Sequence, residues 1–267
     1  MNGWHGSTRV EQLWWATVVV LLILFAVNVG TLVLDKRLID GANVWAKPLK
    51  FEVSLALHFA TLALIVHALN ESARASAMLW WVAVAAVIAT AFEVAYIVLQ
   101  ASRQEASHFN VATPPRFALY ALMAVGAVVI TVAAGVVGGL AISAAGAALG
   151  PATRVGIGVG LIAGTVLTLI VAFRMGGALS HHVGIEPAGA ARMPLTGWSL
   201  TVGDRRVPHF FATHLMQVVP LAGLLLDAML PPLYAVLGVS AAAIAWIVLT
   251  LVFFQLANSG APFTFWA

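Results

Sequence analysis

The chain has 267 residues, of which 62% are hydrophobic and only 9% are charged. Soluble domains carry roughly 25% charged residues, so this composition excludes a soluble globular protein and predicts an all-α, polytopic integral membrane protein. The absence of cysteine from the sequence excludes disulfides, thiolate metal sites and iron–sulfur clusters. The formal charge of +3 does not point to nucleic acid, because the basic residues are spread over linkers between apolar segments, where membrane lipids are the expected partners.

Seven apolar segments follow one another, and each can cross the roughly 30 Å hydrocarbon core of a bilayer as a helix. They make up a single predicted transmembrane domain over residues 1–267, with spans at about 13–34, 49–69, 78–100, 117–139, 154–174, 209–230 and 232–256. The first segment is too long for a signal peptide, and Glu11 stands where a basic region would precede one. We therefore expect a retained first span. The Pro231-Pro232 dipeptide predicts a tight turn between the last two spans.

The basic residues predict the orientation. With seven spans, ten of the 13 Lys and Arg residues fall on one side of the membrane and three on the other. Because cytoplasmic linkers are rich in Lys and Arg, we predict an N-out, C-in protein of the bacterial cytoplasmic (inner) membrane. The ten are Lys36, Arg37, Lys47, Lys50, Arg103, Arg116, Arg174, Arg192, Arg205 and Arg206.

Two local patterns predict how the spans pack. Trp14-Trp15 and Trp80-Trp81 fall at the predicted outer ends of spans one and three, where amphipathic rings prefer the headgroup zone. Gly156, Gly160 and Gly164 recur every four residues on span five, which allows a neighbouring helix to approach closely.

Polar residues inside three spans predict a functional site, because ionisable groups are costly in a bilayer and usually mark a site or a pathway. Helical spacing places the members of each set on one face of their span. His58, Glu93 and His214 fall roughly 13, 10 and 9 Å below the cytoplasmic ends of their spans. The sets are Lys47, Lys50, Ser54 and His58 on span two, Glu93, Tyr96, Gln100 and Arg103 on span three, and His214 and Gln217 on span six.

Two imidazoles and one carboxylate suit zinc or a non-haem ferrous ion with open positions for a substrate. We therefore predict a metal-dependent membrane enzyme acting on a lipid or another membrane-soluble small molecule. Its metal ligands would be His58, Glu93 and His214, and its catalytic groups Glu93, Ser54 and Tyr96. The same residues could instead serve a transporter or proton-coupled channel, or His58 and His214 could be the axial ligands of a b-type haem. Association of several copies into a homo-oligomer stays open.

Polar linkers on the predicted cytoplasmic side suggest a vestibule above this site, where basic groups could bind a phosphate or carboxylate or only anchor helices to anionic lipids. The stretch from Gly184 to Gly203 is expected to be an ordered loop over the vestibule. His181-His182 is expected to be a solvated pair, and His67 an interfacial residue without a partner of matching depth. The predicted substrate-binding residues are Lys47, Lys50, Gln100, Arg103, His108, Asn110, Arg205, Arg206, His209 and Gln217.

Three segments carry a resemblance to a family of bacterial seven-helix membrane proteins: Asn43 to Phe51, Ser107 to Asn110, and Asp204 to His214. This resemblance covers most of the chain and implies the fold without an activity. The chain is also similar, more weakly, to the alkaline ceramidase and adiponectin receptor group of seven-helix zinc hydrolases. Ser54 and His58 match the Ser-x3-His element of that group. The candidate carboxylate Glu93 and the five-residue spacing from His209 to His214 depart from its pattern.

Overall fold

The computed structural model describes residues 7–144 and 149–264. In this part the protein is all-α, with two short antiparallel strand pairs, β1 (Leu38–Ile39) with β2 (Ala42–Asn43) and β3 (His182–Val183) with β4 (Gly203–Asp204). The helices are α1 (Arg9–Leu34), α2 (Ala46–His67), α3 (Glu71–Arg74), α4 (Ala77–Ser102), α5 (Pro114–Ser143), α6 (Pro151–Gly177), α7 (Arg206–Met229) and α8 (Pro232–Asn258).

All of these helices except α3 are long and apolar enough to cross a membrane. Each of the seven predicted spans corresponds to one of the long helices, and most of the helices extend a few residues beyond the predicted limits. The all-α fold and the seven spans are therefore confirmed. The direction in which the helices cross stays a prediction.

Short-range polar contacts and prolines explain where the helices begin. Glu11, in the first turn of α1, accepts hydrogen bonds from the backbone N–H and the hydroxyl of Thr8, at 2.7 and 2.6 Å. The hydroxyl of Ser76 accepts from the backbone N–H of Leu79 and caps α4. Proline opens three further helices, since its fixed φ and missing N–H suit the first turn: Pro114, Pro151 and Pro232.

The described residues form two compact units, residues 7–140 with 144, and residues 141–143 with 149–264. The first contains α1 to α4 and most of α5, and the second contains α6 to α8 with β3 and β4. The prediction of one transmembrane domain is not tested by this division. Each unit has its own core and its own polar groups, and they are described separately.

The core of the first unit lies where α1 packs along α2. Trp14 is fully buried there, with its ring centre 6.1 Å from that of Phe59. The indole of Trp14 therefore fills the core between the helices. Trp15 and Trp81 are exposed, and the position of all three rings in the headgroup zone stays a prediction.

The second unit is built on close contact between α6 and α7. A methyl group at Gly156 would lie 2.7 Å from the carbonyl oxygen of Val219, and one at Gly160 would lie 2.9 Å from that of Leu215. Both distances are too short for a side chain, so the backbones meet directly along the glycine stripe. This confirms the packing predicted from the four-residue glycine spacing.

The N-terminus of α6 is bound by a carboxylate from α7. Asp227 accepts hydrogen bonds from the backbone N–H groups of Ala152 and Thr153, at 3.1 and 2.7 Å, and from the Thr153 hydroxyl at 2.6 Å. A side chain at Gly150 would collide with this carboxylate. Asp227 therefore satisfies N–H groups that have no partner within α6 itself.

Candidate functional site

The three residues predicted to form a metal centre belong to different units. His58 and Glu93 lie in the first, and His214 lies in the second. Within residues 7–144 and 149–264, no group of three or more His, Asp or Glu side chains is arranged to hold a metal ion. The geometry therefore gives the zinc, iron and haem hypotheses no support, and they stay predictions.

A buried polar stripe on α4 is the main feature of the first unit. Thr90, Glu93, Tyr96 and Gln100 follow one another at spacings of three and four residues, and none is more than 5% exposed. The oxygens of three of them are buried without a hydrogen-bond partner among the described residues: Thr90 Oγ1, Glu93 Oε1 and Tyr96 Oη. Such atoms are uncommon in folded proteins, and each needs an explanation.

Glu93 lies against a glycine of α5. A methyl group at Gly126 would be 3.0 Å from Glu93 Oε1, so the absence of a side chain leaves just enough room for the carboxyl group. The charge of Lys47, at the start of α2, acts electrostatically on Glu93. Sequence reasoning found Glu93 and Lys47 but missed Gly126, since one glycine in an Ala- and Gly-rich span carries no signal of its own.

Aromatic and aliphatic side chains from three helices enclose Tyr96. Its ring is stacked on that of Phe92 at 6.2 Å between centres, with 7° between the ring planes. Met123 of α5 and Phe51 of α2 belong to the same cluster. The ring of Tyr96 is therefore surrounded by apolar side chains, while its hydroxyl group belongs to the buried stripe.

His58 of α2 faces the same stretch of α5. Its ring is within hydrogen-bonding reach of the backbone of Ile130, one helical turn from Gly126, and its Nε2 is buried without a partner among the described residues. Ser54 of α2 is exposed. The first unit thus brings His58 and Glu93 to neighbouring turns of α5, while the predicted catalytic Ser54 points outward.

Several predicted substrate-binding residues instead hold the linker between α4 and α5. Gln100 Nε2 and Asn110 Nδ2 both donate to the carbonyl oxygen of Ala106, each at 3.1 Å. The ring of His108 lies 5.5 Å from that of Phe51 and 6.4 Å from that of Tyr120. Through these contacts, Gln100, His108 and Asn110 position the linker between α4 and α5.

The predicted basic residues of the first unit differ in burial. Lys47 is half-buried, with its Nζ 6.0 Å from the ring centre of Phe51. Lys50 and Arg103 are exposed. Of the three, Lys47 is the one whose charge reaches the buried stripe.

In the second unit, Arg206 is bound to protein groups. It forms an ion pair with Asp204 at 2.5 Å and donates to the carbonyl oxygen of Gly197 at 2.8 Å. Burial alone would raise the pKa of Asp204, but the nearby His182 and the hydrogen bonds and charge of Arg206 hold it well below its usual range. His182 is mostly buried, 3.6 Å from Asp204, so the prediction of a solvated histidine at this position is wrong.

Arg205 is nearly buried and binds two other segments. Its Nε donates to Asn258 Oδ1 at 3.1 Å and its guanidinium donates to the carbonyl oxygen of Ser180 at 3.2 Å. Burial lowers the pKa of this guanidinium, with a further contribution from the charge of Arg174. Arg206 therefore binds the linker from Gly184 to Gly203 at Gly197, in agreement with the expected ordered loop, while Arg205 joins Ser180 to Asn258. A substrate-binding role of either arginine stays a prediction.

The histidines of α7 sit in different surroundings. His214 is stacked on Phe210 at 3.9 Å between ring centres, and its Nδ1 lies 2.8 Å from the carbonyl oxygen of Phe210. His209 Nδ1 is buried without a partner among the described residues, and Gln217 is half-buried. The predicted metal ligand His214 thus already uses one ring nitrogen on its own helix.

Sequence reasoning missed two buried polar groups of the first unit. Glu11 forms ion pairs with Arg74 at 2.8 Å and with His67 at 2.6 Å, so the expectation that His67 has no partner is wrong. Asn28 Nδ2 donates to Glu52 Oε1 at 2.5 Å within the interface between α1 and α2. The signal for the second pair was available, since both residues lie inside predicted spans.

Comparisons of the chain with protein-family models, with curated proteins and with solved structures gave no match.

Proposed function

We propose that this chain is a proton-coupled transporter of small polar solutes in a bacterial cytoplasmic membrane, oriented with its N-terminus outside. Seven long apolar helices support a multi-pass membrane protein. The concentration of Lys and Arg on one set of linkers supports the orientation. The buried stripe of α4 in the first unit supports the transport function.

The observation that carries the proposal is the set of unpaired oxygens on this stripe. An unsatisfied buried polar atom costs about 1–3 kcal/mol, so a protein rarely keeps several in one place without a use for them. Thr90 and Tyr96 each offer a hydroxyl that can donate or accept, and Glu93 lies between them in the sequence. Together they match a small solute that carries both donors and acceptors.

Glu93 supplies the coupling to protons. A neutral Glu93 donates a hydrogen bond, whereas an ionised Glu93 only accepts and attracts the charge of Lys47. The two forms therefore bind a given solute with different affinity, and by linkage the solute changes proton binding at Glu93 by the same factor. His58, whose Nε2 has no partner in the described chain, is a second polar group beside α5 that can hydrogen-bond to a solute.

Reconstituted vesicles with a pH-sensitive dye inside provide the test. Pools of amino acids, sugars, nucleosides and small carboxylates are added outside the vesicles, and proton movement is recorded for each pool. We expect at least one pool to drive protons inward in the wild type, and Glu93→Gln to abolish the response. Glu71→Gln, which changes an exposed carboxylate on α3, is the matched control and should behave as wild type. A wild type that moves protons with no pool, or a Glu93→Gln variant as active as the control, would overturn the proposal.

The metal hypotheses are tested on the same purified protein. If the wild type contains stoichiometric zinc or iron and His58→Ala does not, the hypothesis of a metal-dependent enzyme would be preferred to that of a transporter. A Soret band in the absorption spectrum would indicate haem. We place transport first because the unpaired oxygens are concentrated on α4 in the first unit.

A further inference from the structure

A second buried carboxyl group lies in the interface between α1 and α2. Glu52 has no exposed surface, and its partner Asn28 is only 5% exposed. Asn28 Nδ2 donates to Glu52 Oε1, and Glu52 Oε2 is buried without a partner among the described residues. One amide hydrogen bond is thus the polar contact that holds this side chain.

Glu52 differs from the buried carboxylates Glu11 and Asp204 in having no cation paired with it among the described residues. Glu11 has Arg74 at 2.8 Å and Asp204 has Arg206 at 2.5 Å, whereas no Lys, Arg or His of the described chain forms an ion pair with Glu52. An isolated carboxylate in an apolar interior is far more costly than the neutral acid. The surroundings of Glu52 therefore favour the protonated carboxyl group.

The contact with Asn28 leaves the second oxygen of Glu52 available for a proton. Oε1 accepts from the amide N–H of Asn28 and Oε2 has no partner among the described residues, so a proton on Oε2 leaves the hydrogen bond intact. We propose that Glu52 is a proton-binding site: its carboxyl group is protonated at neutral pH and exchanges this proton with solvent at alkaline pH. Glu52 contacts α1, whereas Glu93 lies against α5, so the two carboxyl groups can be changed and measured separately.

Infrared difference spectroscopy of the whole protein in mild detergent tests this site. The spectrum of Glu52→Gln is subtracted from that of the wild type at neutral and at alkaline pH. We expect the difference at neutral pH to show one neutral carboxylic-acid carbonyl band that shifts in D2O. At alkaline pH we expect this band to be replaced by carboxylate bands. Glu71→Gln, which changes an exposed side chain on α3, is the control and should leave the carbonyl band of Glu52 in place.

Two results would overturn the proposal. Carboxylate bands at neutral pH would mean that Glu52 is ionised, and a neutral band that changes neither with pH nor in D2O would mean that its proton is not exchanged. If Glu52→Gln does not fold, Asn28→Leu provides the second variant. Loss of the amide donor should move the neutral carbonyl band to higher frequency, and an unchanged spectrum would count against the assignment. Vesicle measurements on Glu93→Gln can fail without affecting any of these results, so the two proposals are judged separately.

Discussion

The buried ion pair between Glu11 and Arg74 ties α1 to α3, and its removal should be costly. Both side chains are at most 4% exposed, and the carboxylate is also bound by Thr8 and His67. Arg74→Met keeps most of the volume but leaves a buried carboxylate without its main cation. Breaking one partner of a buried pair costs about 3–5 kcal/mol, and we expect the lower end of this range because Thr8 and His67 still hydrogen-bond to Glu11.

The assay is thermal or denaturant unfolding in mild detergent, followed by circular dichroism, for wild type, Arg74→Met, Glu11→Gln and the double variant. The double variant should be more stable than Arg74→Met, because no charge is then left unpaired. Arg9→Met, which removes a charge near the same helix start, is the control. An Arg74→Met variant within about 1 kcal/mol of wild type, or a double variant less stable than both single variants, would refute a strong coupling of the kind found in buried pairs.

Three further outcomes are expected. Gly126→Ala brings a methyl group to 3.0 Å from Glu93 Oε1 and should weaken proton-coupled flux in vesicles, whereas Gly139→Ala, with no atom within 4 Å, should not. Gly160→Leu should lower the unfolding free energy by more than the 1–3 kcal/mol typical of overpacking, because a backbone carbonyl cannot move aside; unfolding in detergent measures this. The linker from Gly184 to Gly203 should resist proteolysis from neutral pH down to about pH 4 and loosen only below it, since the Asp204 pKa is depressed and its stabilisation is lost as the carboxylate protonates. Asp204→Asn should make the same linker protease-sensitive at neutral pH, and equal digestion of both proteins would contradict this role.

The long helices were predictable because their signal is local. In a bilayer, an apolar run of about 20 residues can satisfy its backbone hydrogen-bonding groups within the segment only as a helix. The apolar composition of each run therefore predicts its span. The glycine stripe of α6 was predictable for the same reason, since four-residue spacing in one segment defines one face.

The partners of polar side chains were much less predictable. Depth along a span can be read from the sequence, but the direction of a side chain around the helix axis relative to its neighbours cannot. His58 and Glu93 do reach the same stretch of α5, while Ser54 points outward and His67 meets Glu11 across the first unit. Arg205 and Arg206 illustrate a second difficulty: basic residues on a linker suggest ligand binding, but here their donors are taken by carbonyl, amide and carboxylate oxygens of the protein itself.

Asp227 has a consequence for the order in which the second unit can be completed during synthesis. Helix α6 ends at Gly177, about 50 residues before Asp227, so the ribosome completes α6 before it adds Asp227. Until Asp227 arrives, the N–H groups of Ala152 and Thr153 lack the carboxylate that binds them in the finished protein. In nascent chains that stop before position 227, the N-terminus of α6 should therefore be less firmly held. In chains that include Asp227, its carboxylate should bind this N-terminus.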